Sequence, residues 1–325
     1  MDKISELIRN RVSRRKFLAG VGSGLGTTAA LTLAAGCGGN STTTAPVTTT
    51  PAPTTTAAPA ITDADIFNFA LNLEYLEASY YLYAVTGSGI PSANTGSSPG
   101  TVVGGAAVPF QTPAIQAYAE EIANDELAHV IFLRTALGSA AVSMPNIDLT
   151  NSFNAAASAA GIGPSFNPFA SEDNFIVGAF VFEDVGVTAY HGAAGLLTST
   201  TNLGYAAGIM GTEAYHAGEI RTLLAYLGDP YLTYANQISA LRAAAGGGAE
   251  VPVSGSSIVP ADSNSIAFDR TTDQVLHIVY LNGTAGVVSK GGFFPNGLDL
   301  PRLSQPFIAG VSRFRFVGEY ISPPS

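Results

Sequence analysis

Glu126-Leu-Ala-His129 and Glu213-Ala-Tyr-His216 are the two places in this 325-residue chain where a histidine follows a glutamate by three positions. Residues three and four apart share a helix face, so each pair would aim a carboxylate and an imidazole at one point. One such pair is weak evidence, because it arises by chance on many helices. Two pairs drawn from only four histidines carry more weight. Two further glutamates, Glu74 and Glu183, precede them in apolar surroundings. If the six meet, four carboxylates supply a charge of −4, which two divalent ions would cancel. Oxygen-rich ligation with two imidazoles suits iron first and manganese second. Zinc could enter such a site but would do no redox chemistry. A core that has lost its metal, or unrelated packing, are the plain alternatives.

Positioning these groups requires four helices, and the apolar spacing predicts them. The first spans Asp63–Val85 behind a Thr62 or Asp63 cap, and Glu74 and Glu77 are its only charges after Ile66. The second, Thr112–Leu137, opens on Pro113 and closes at Gly138, with Ile115, Ala119, Ile122, Glu126, His129 and Leu133 on one stripe. The third is expected over Ser171–Ser199, where Glu183, Asp184 and His191 are the only ionisable groups after Asn174 besides tyrosine. The fourth, about Asn202–Leu227, stops at Gly228-Asp229-Pro230. Helices so poor in charge are expected to be buried most of the way round. An unpaired buried carboxylate is costly, and the first helix has no lysine or arginine to rescue Glu74.

The helices also repeat. Glu126 and Glu213 each have His at +3, Arg at +8, Thr at +9 and Leu at +11. Glu74 and Glu183 each have Tyr at +7, namely Tyr81 and Tyr190. The chain therefore reads as two related helix pairs, with 52 residues between the glutamates of the first pair and 30 in the second. The excess falls in a Gly/Ser/Pro-rich insertion, Gly87–Gln111. Two inward glutamates and two Glu-x-x-His motifs form the ligand set of ferritin-like dinuclear carboxylate bundles.

The stretches LNLEYLEASYY, EIANDELAHVIFLR, FEDVGVTAYHGAA and GTEAYHAGEIRTLL resemble the bacterial ferritin-like domain family that includes desiccation-related proteins. The later ADSNSIAFDRTTDQVLHIVYLN and KGGFFPNG resemble those proteins' C-terminal extension. The resemblance implies an all-α fold: an antiparallel four-helix bundle over 63–228 with a long loop between its first two helices. A mixed, loop-rich extension over 229–325 follows. It implies Glu74, Glu126, His129, Glu183, Glu213 and His216 as metal ligands, and a role in stress. The cysteine-rich module of rubrerythrins is absent from this sequence.

Other residues near the ligand positions have a functional and a plain reading. Glu77, one turn from Glu74, is an extra ligand or proton acceptor, or a partly exposed polar residue. Asp125 can bond a ligand histidine and fix its tautomer, or sit on a solvated edge. Tyr81 and Tyr190 can donate electrons or gate access, though packing with satisfied hydroxyls is the simpler expectation. His191 lies about 12 Å along the axis from Glu183, too far for the same site. Arg134 and Arg221 are expected to form ion pairs at the bundle ends. In the extension, Tyr231–Ala245 reads as a helix, 250–268 as extended chain with turns, and Thr271–Tyr280 as a short helix capped by Thr272. The extension is expected to wrap the bundle or form an interface.

The N-terminus reads as an address. Ser13-Arg14-Arg15-Lys16-Phe17-Leu18 resembles a twin-arginine export signal, and Leu33-Ala34-Ala35-Gly36-Cys37 resembles a bacterial lipobox with Ala34 where Leu is commoner. On this reading residues 1–36 are removed, Cys37 is the lipid-modified first residue, and the uncharged Thr/Pro-rich stretch 37–62 is a tether. The expected location is the periplasm or cell envelope, membrane-anchored through lipid on Cys37. Twin-arginine export moves folded proteins, which favours a cofactor loaded before export.

Composition limits the rest. Charged residues make up 12% of the chain, against roughly 25% in a typical soluble domain. Without residues 1–36 the chain carries 8 basic and 22 acidic groups, a charge of −14, which opposes nucleic-acid binding. A single cysteine excludes an intrachain disulfide framework and a cysteine-bound cluster. Three functions remain: an enzyme reacting with dioxygen or hydrogen peroxide, a protein sequestering iron or manganese, and a structural stress protein stapled by its metal. Nothing in the sequence sets the oligomer; a homodimer is one option.

Overall fold

The computed structural model describes residues 60–300. The stretch read as an export signal, Cys37, nearly all of the stretch read as a tether and residues 301–325 lie outside the described residues. Among the described residues, no helix is long and apolar enough to cross a membrane.

In chain order the helices are α1 (Asp63–Thr86), α2 (Pro113–Leu137), α3 (Asn151–Ala160), α4 (Glu172–Ala179), α5 (Glu183–Ala194), α6 (Thr200–Leu227), α7 (Tyr231–Gly246) and α8 (Thr272–Val279). α1, α2, α4–α5 and α6 form the expected bundle. Thr62 caps α1 by a reciprocal box with Asp65, and Gly87 ends it in the left-handed region at φ 71°. The neighbours run antiparallel. Asn68 near the start of α1 donates to the Ala140 carbonyl beyond the end of α2 (2.9 Å), and Asp184 at the start of α5 meets Arg221 late in α6 (2.9 Å).

Burial divides the four helices. Every residue of α1 from Ile66 to Leu82 is buried, as is α5 from Glu183 to Tyr190. α2 buries only the stripe of Ala119, Ile122, Glu126, His129 and Leu133 with two neighbours, and Ile115 is half-buried. α6 departs from expectation. It carries few charges, yet Tyr215 and Tyr226 are 82% and 90% exposed. Its outer face is small and aromatic rather than charged, so charge poverty did not mean burial there.

The third bundle helix is broken. Ser171 caps α4 as its sequence suggests, but the chain tightens through Phe180–Phe182, where Val181 and Phe182 donate to carbonyls three residues back. The Phe180 carbonyl instead accepts from Arg242 Nη1 on α7 at 2.6 Å. That long-range partner replaces a helical hydrogen bond and lets α5 start afresh at Glu183. α5 ends at Ala194, short of the expected Ser199. α3 has no counterpart in the sequence reading.

The insertion between α1 and α2 contributes β1 (Val102–Val103), which pairs in parallel with β2 (Ile147–Asp148). The C-terminal segment wraps the bundle. Asn72 of α1 exchanges two hydrogen bonds with Asp299 (3.0 and 3.1 Å), and Phe293 and Phe294 are buried in the common core. α8 is capped by Thr271 rather than Thr272, again with a reciprocal box to Gln274.

Candidate metal centre

The six side chains singled out by the repeat meet at the centre of the bundle. Their ligating atoms form two overlapping groups: Glu74, Glu126, His129 and Glu213, and Glu126, Glu183, Glu213 and His216. Within each group the atoms lie within 4.8 Å of one another, and all six residues are buried. Glu126 and Glu213 belong to both groups. Each half therefore has one imidazole, one carboxylate of its own and two shared carboxylates. His129 Nδ1 stands 3.2 Å from Glu74, 3.4 Å from Glu213 and 3.6 Å from Glu126. His216 Nδ1 stands 3.0 Å from Glu126 and 3.6 Å from Glu183.

The cluster is short of hydrogen-bond donors. Both carboxylate oxygens of Glu126 and of Glu213, Glu183 Oε2 and His216 Nδ1 are buried with no hydrogen-bond partner. Buried polar atoms are normally satisfied, so these orphaned acceptors fit a site built for cations. The same shortage shifts the titrations. Burial, then the neighbouring charge of Glu74, pushes Glu126 up to about 8. Burial, then the charge of Glu126, pushes Glu213 up to about 8. Burial also drives Glu183 upward, against the opposing pull of His216. Burial opposes charge on His129, but Glu74, Glu126 and Glu213 together raise it well above its ordinary value. Glu74 alone is lowered: burial resists, and the charge of His129 prevails. In the metal-free protein, protons do part of the work of cations.

The tyrosines brace the site across its pseudo-symmetry. Tyr81 on α1 donates to Glu183 on α5, and Tyr190 on α5 donates to Glu74 on α1 at 2.5 Å. Each lies seven residues beyond one ligand candidate and bonds the other. The expectation of satisfied hydroxyls holds, with ligand carboxylates as the partners. Asp125 fills both of its readings at once. It is 42% exposed on its side chain, and it accepts from His216 Nε2 at 3.2 Å. Its counterpart in the repeat is Thr212, so the two halves differ. Glu77 is buried, with its titration driven well above the ordinary range by burial and then by Glu213.

Other residues lie outside the centre. His191 is half-buried and bonds the Phe268 carbonyl at 3.1 Å, and Glu219 takes no part. Arg134 corrects its expectation: among the described residues it forms no ion pair, and it donates to the Tyr75 hydroxyl (2.6 Å) and the Val142 carbonyl (3.2 Å). Arg221 does pair, though deep in the protein rather than at a bundle end. It is fully buried against Asp184, and also holds the carbonyls of Val251 (2.8 Å) and Ile258. Arg242 bridges Asp184 (2.7 Å) and Glu250 (2.8 Å), and Arg270 pairs with Glu250 (2.6 Å). Sequence reasoning missed this network; its one signal was three arginines in a segment where cations are rare.

Comparison with known proteins agrees with this geometry. The chain is 28% identical over 262 residues to "Ferritin-like catalase Nec2" of Nesocodon mauritianus, covering 72% of this chain and 83% of that protein. It is 30% identical over 246 residues to "Desiccation-related protein PCC13-62" of Craterostigma plantagineum, covering 66% and 76%. The ferritin-like domain matches residues 62–226, a span that holds all six converging side chains. The chain belongs to the ferritin-like domain family.

Proposed function

We propose that this chain is an exported, lipid-anchored protein of the cell envelope whose buried site holds two ions of iron or manganese. On this reading it removes hydrogen peroxide during drying or oxidative stress. The observation that carries the proposal is the pair of overlapping four-ligand groups with unpartnered buried oxygens. The relatives named ferritin-like catalase and desiccation-related protein support the chemistry and the setting. The twin-arginine-like and lipobox-like stretches support export.

When bound, redox-active ions supply the electron transfers that convert peroxide to water and dioxygen. The protein's part is positional. Glu126 and Glu213 belong to both groups and would help to hold either ion. Tyr190 and Tyr81 fix the orientation of Glu74 and Glu183. Asp125, by accepting from Nε2 of His216, leaves Nδ1 free to face the centre. Burial excludes bulk water and strengthens each electrostatic contact.

The test is metal content followed by turnover. Protein exported in its folded form should carry two ions per chain, and Glu126→Ala should carry one or none. The loaded wild type should evolve dioxygen from peroxide over many turnovers. Stoichiometric metal uptake without turnover would replace the enzyme with a sequestering protein.

A further inference from the structure

A small cavity adjoins the centre between α1, the α4–α5 break and the C-terminal segment. Its apolar wall includes Leu76, Val181 and Val185 from the bundle and Ile278, Val279 and Phe293 from the segment that wraps it. Glu77 is the one polar side chain among its lining residues, and Gly186 completes the lining. The glycine matters because of what stands behind it. A Cβ at Gly186 would collide with Glu213 Oε2 and lie 3.3 Å from Glu77 Oε1. No side chain at position 186 separates the cavity from a carboxylate shared by both ligand groups.

The cavity's size and chemistry limit what can use it. A water-sized sphere can move its centre through about 20 Å³, against roughly 10–15 Å³ needed for one water. That admits a molecule of a few atoms and rejects a bulky organic peroxide. The apolar wall offers almost nothing to solvate a charge, so entry of an ion of either sign is costly.

We infer that this cavity is the port by which a small uncharged oxygen species, hydrogen peroxide or dioxygen, reaches or leaves Glu213, with α8 and Phe293 as its outer wall. The identity of the traveller rests on the peroxide reading above; the port itself rests on the cavity and on Gly186. The C-terminal segment is then a working part of the site.

The port can be tested without metal. Crystals of the metal-free wild type under xenon should show an atom in the cavity, since dry apolar cavities take up xenon. Val279→Phe should fill the space, abolish that site and leave the metal content at the wild-type value. In the loaded variant, kcat/KM for peroxide should fall at least tenfold if peroxide is the traveller. Reoxidation of the reduced protein by dioxygen should slow by a similar factor if dioxygen is. Absence of xenon in the wild type overturns the port. So does a Val279→Phe protein that lacks xenon yet reacts at wild-type rates with both oxidants. Loaded wild type that consumes no peroxide overturns the peroxide reading alone, and the port is then judged on xenon and dioxygen.

Discussion

Glu183 and Asp184 are adjacent in the chain and stand in opposite kinds of buried charge cluster. Glu183 joins Glu74, Glu126 and Glu213, where, among the described residues, two histidines are the only nitrogen partners and six polar atoms lack a hydrogen bond. Asp184 joins Glu250 among Arg221, Arg242 and Arg270, where every carboxylate has a guanidinium within 3 Å. The arginine cluster carries its own counter-ions, slightly in excess. The glutamate cluster lacks them. Both lie in the same core, so the difference is one of counter-charge: the polypeptide supplies it to one set, where Asp184 Oδ1 and Arg270 Nε alone lack a hydrogen bond among the described residues, and the other calls for cations from outside. The arginine set also has a mechanical role, since Arg242 takes the Phe180 carbonyl and so sets where α5, with Glu183 at its first turn, begins.

The largest expected effect comes from unbalancing the arginine cluster. Glu250→Ala leaves Arg270 buried without an ionic partner and takes one of two from Arg242. Breaking a buried pair in this way costs about 3–5 kcal/mol. Chemical denaturation should show that loss in metal-free and loaded protein alike. A loss below about 1 kcal/mol would mean that solvent reaches the network and the contrast is false.

The two clusters should also respond to pH with opposite sign. Burial disfavours the charge on Glu250, but Arg242 and Arg270 hold its carboxyl below the ordinary value, so its contribution is present above the unfolded pKa and lost as pH falls. Glu126 and Glu213 are raised to about 8. Their protonated forms stabilise the metal-free fold fully below the unfolded value near 4.5, and that contribution is lost as pH rises through 8. Metal-free protein should therefore show a falling Tm between about pH 5 and 8, and loaded protein should not. Glu126→Gln should flatten the metal-free slope. A metal-free Tm that is level across this range would remove the claim that the cluster lacks counter-ions.

The glutamate cluster was legible in the sequence and the arginine cluster was not, for a physical reason. Glu-x-x-His and the +7 tyrosines follow the period of a single helix, so their common face can be read from spacing alone. The repeat then joined the faces into one centre. Arg221, Arg242, Glu250 and Arg270 come from different elements and the loops between them, where no period links one to the next. The break at Phe180 escaped notice because its cause, Arg242, lies 62 residues away. Exposure of α6 was misjudged on composition, since glycine, alanine and tyrosine make a face without charges that still meets solvent. Asp125 was visible as a neighbour of Glu126, but its partner is His216 across the bundle and not His129 one turn on.

That last contact gives the smallest and most local expected effect. His216 has an acceptor behind its outer nitrogen, whereas the position equivalent to Asp125 in the other half is Thr212, whose hydroxyl, among the described residues, bonds only the Gly208 carbonyl of its own helix. The two halves of the glutamate cluster should therefore bind their ions unequally, the His216 half more tightly. Outer partners of ligand histidines typically contribute 10–100-fold in metal affinity. Because Asp125 is partly exposed, Asp125→Asn belongs at the low end, about tenfold. Metal titration of the wild type should resolve two steps, and the variant should bring them together by weakening the tighter one alone. If Asp125→Asn weakened both steps equally, the shared carboxylates would tie the halves into one unit, and the asymmetry would have no consequence for binding.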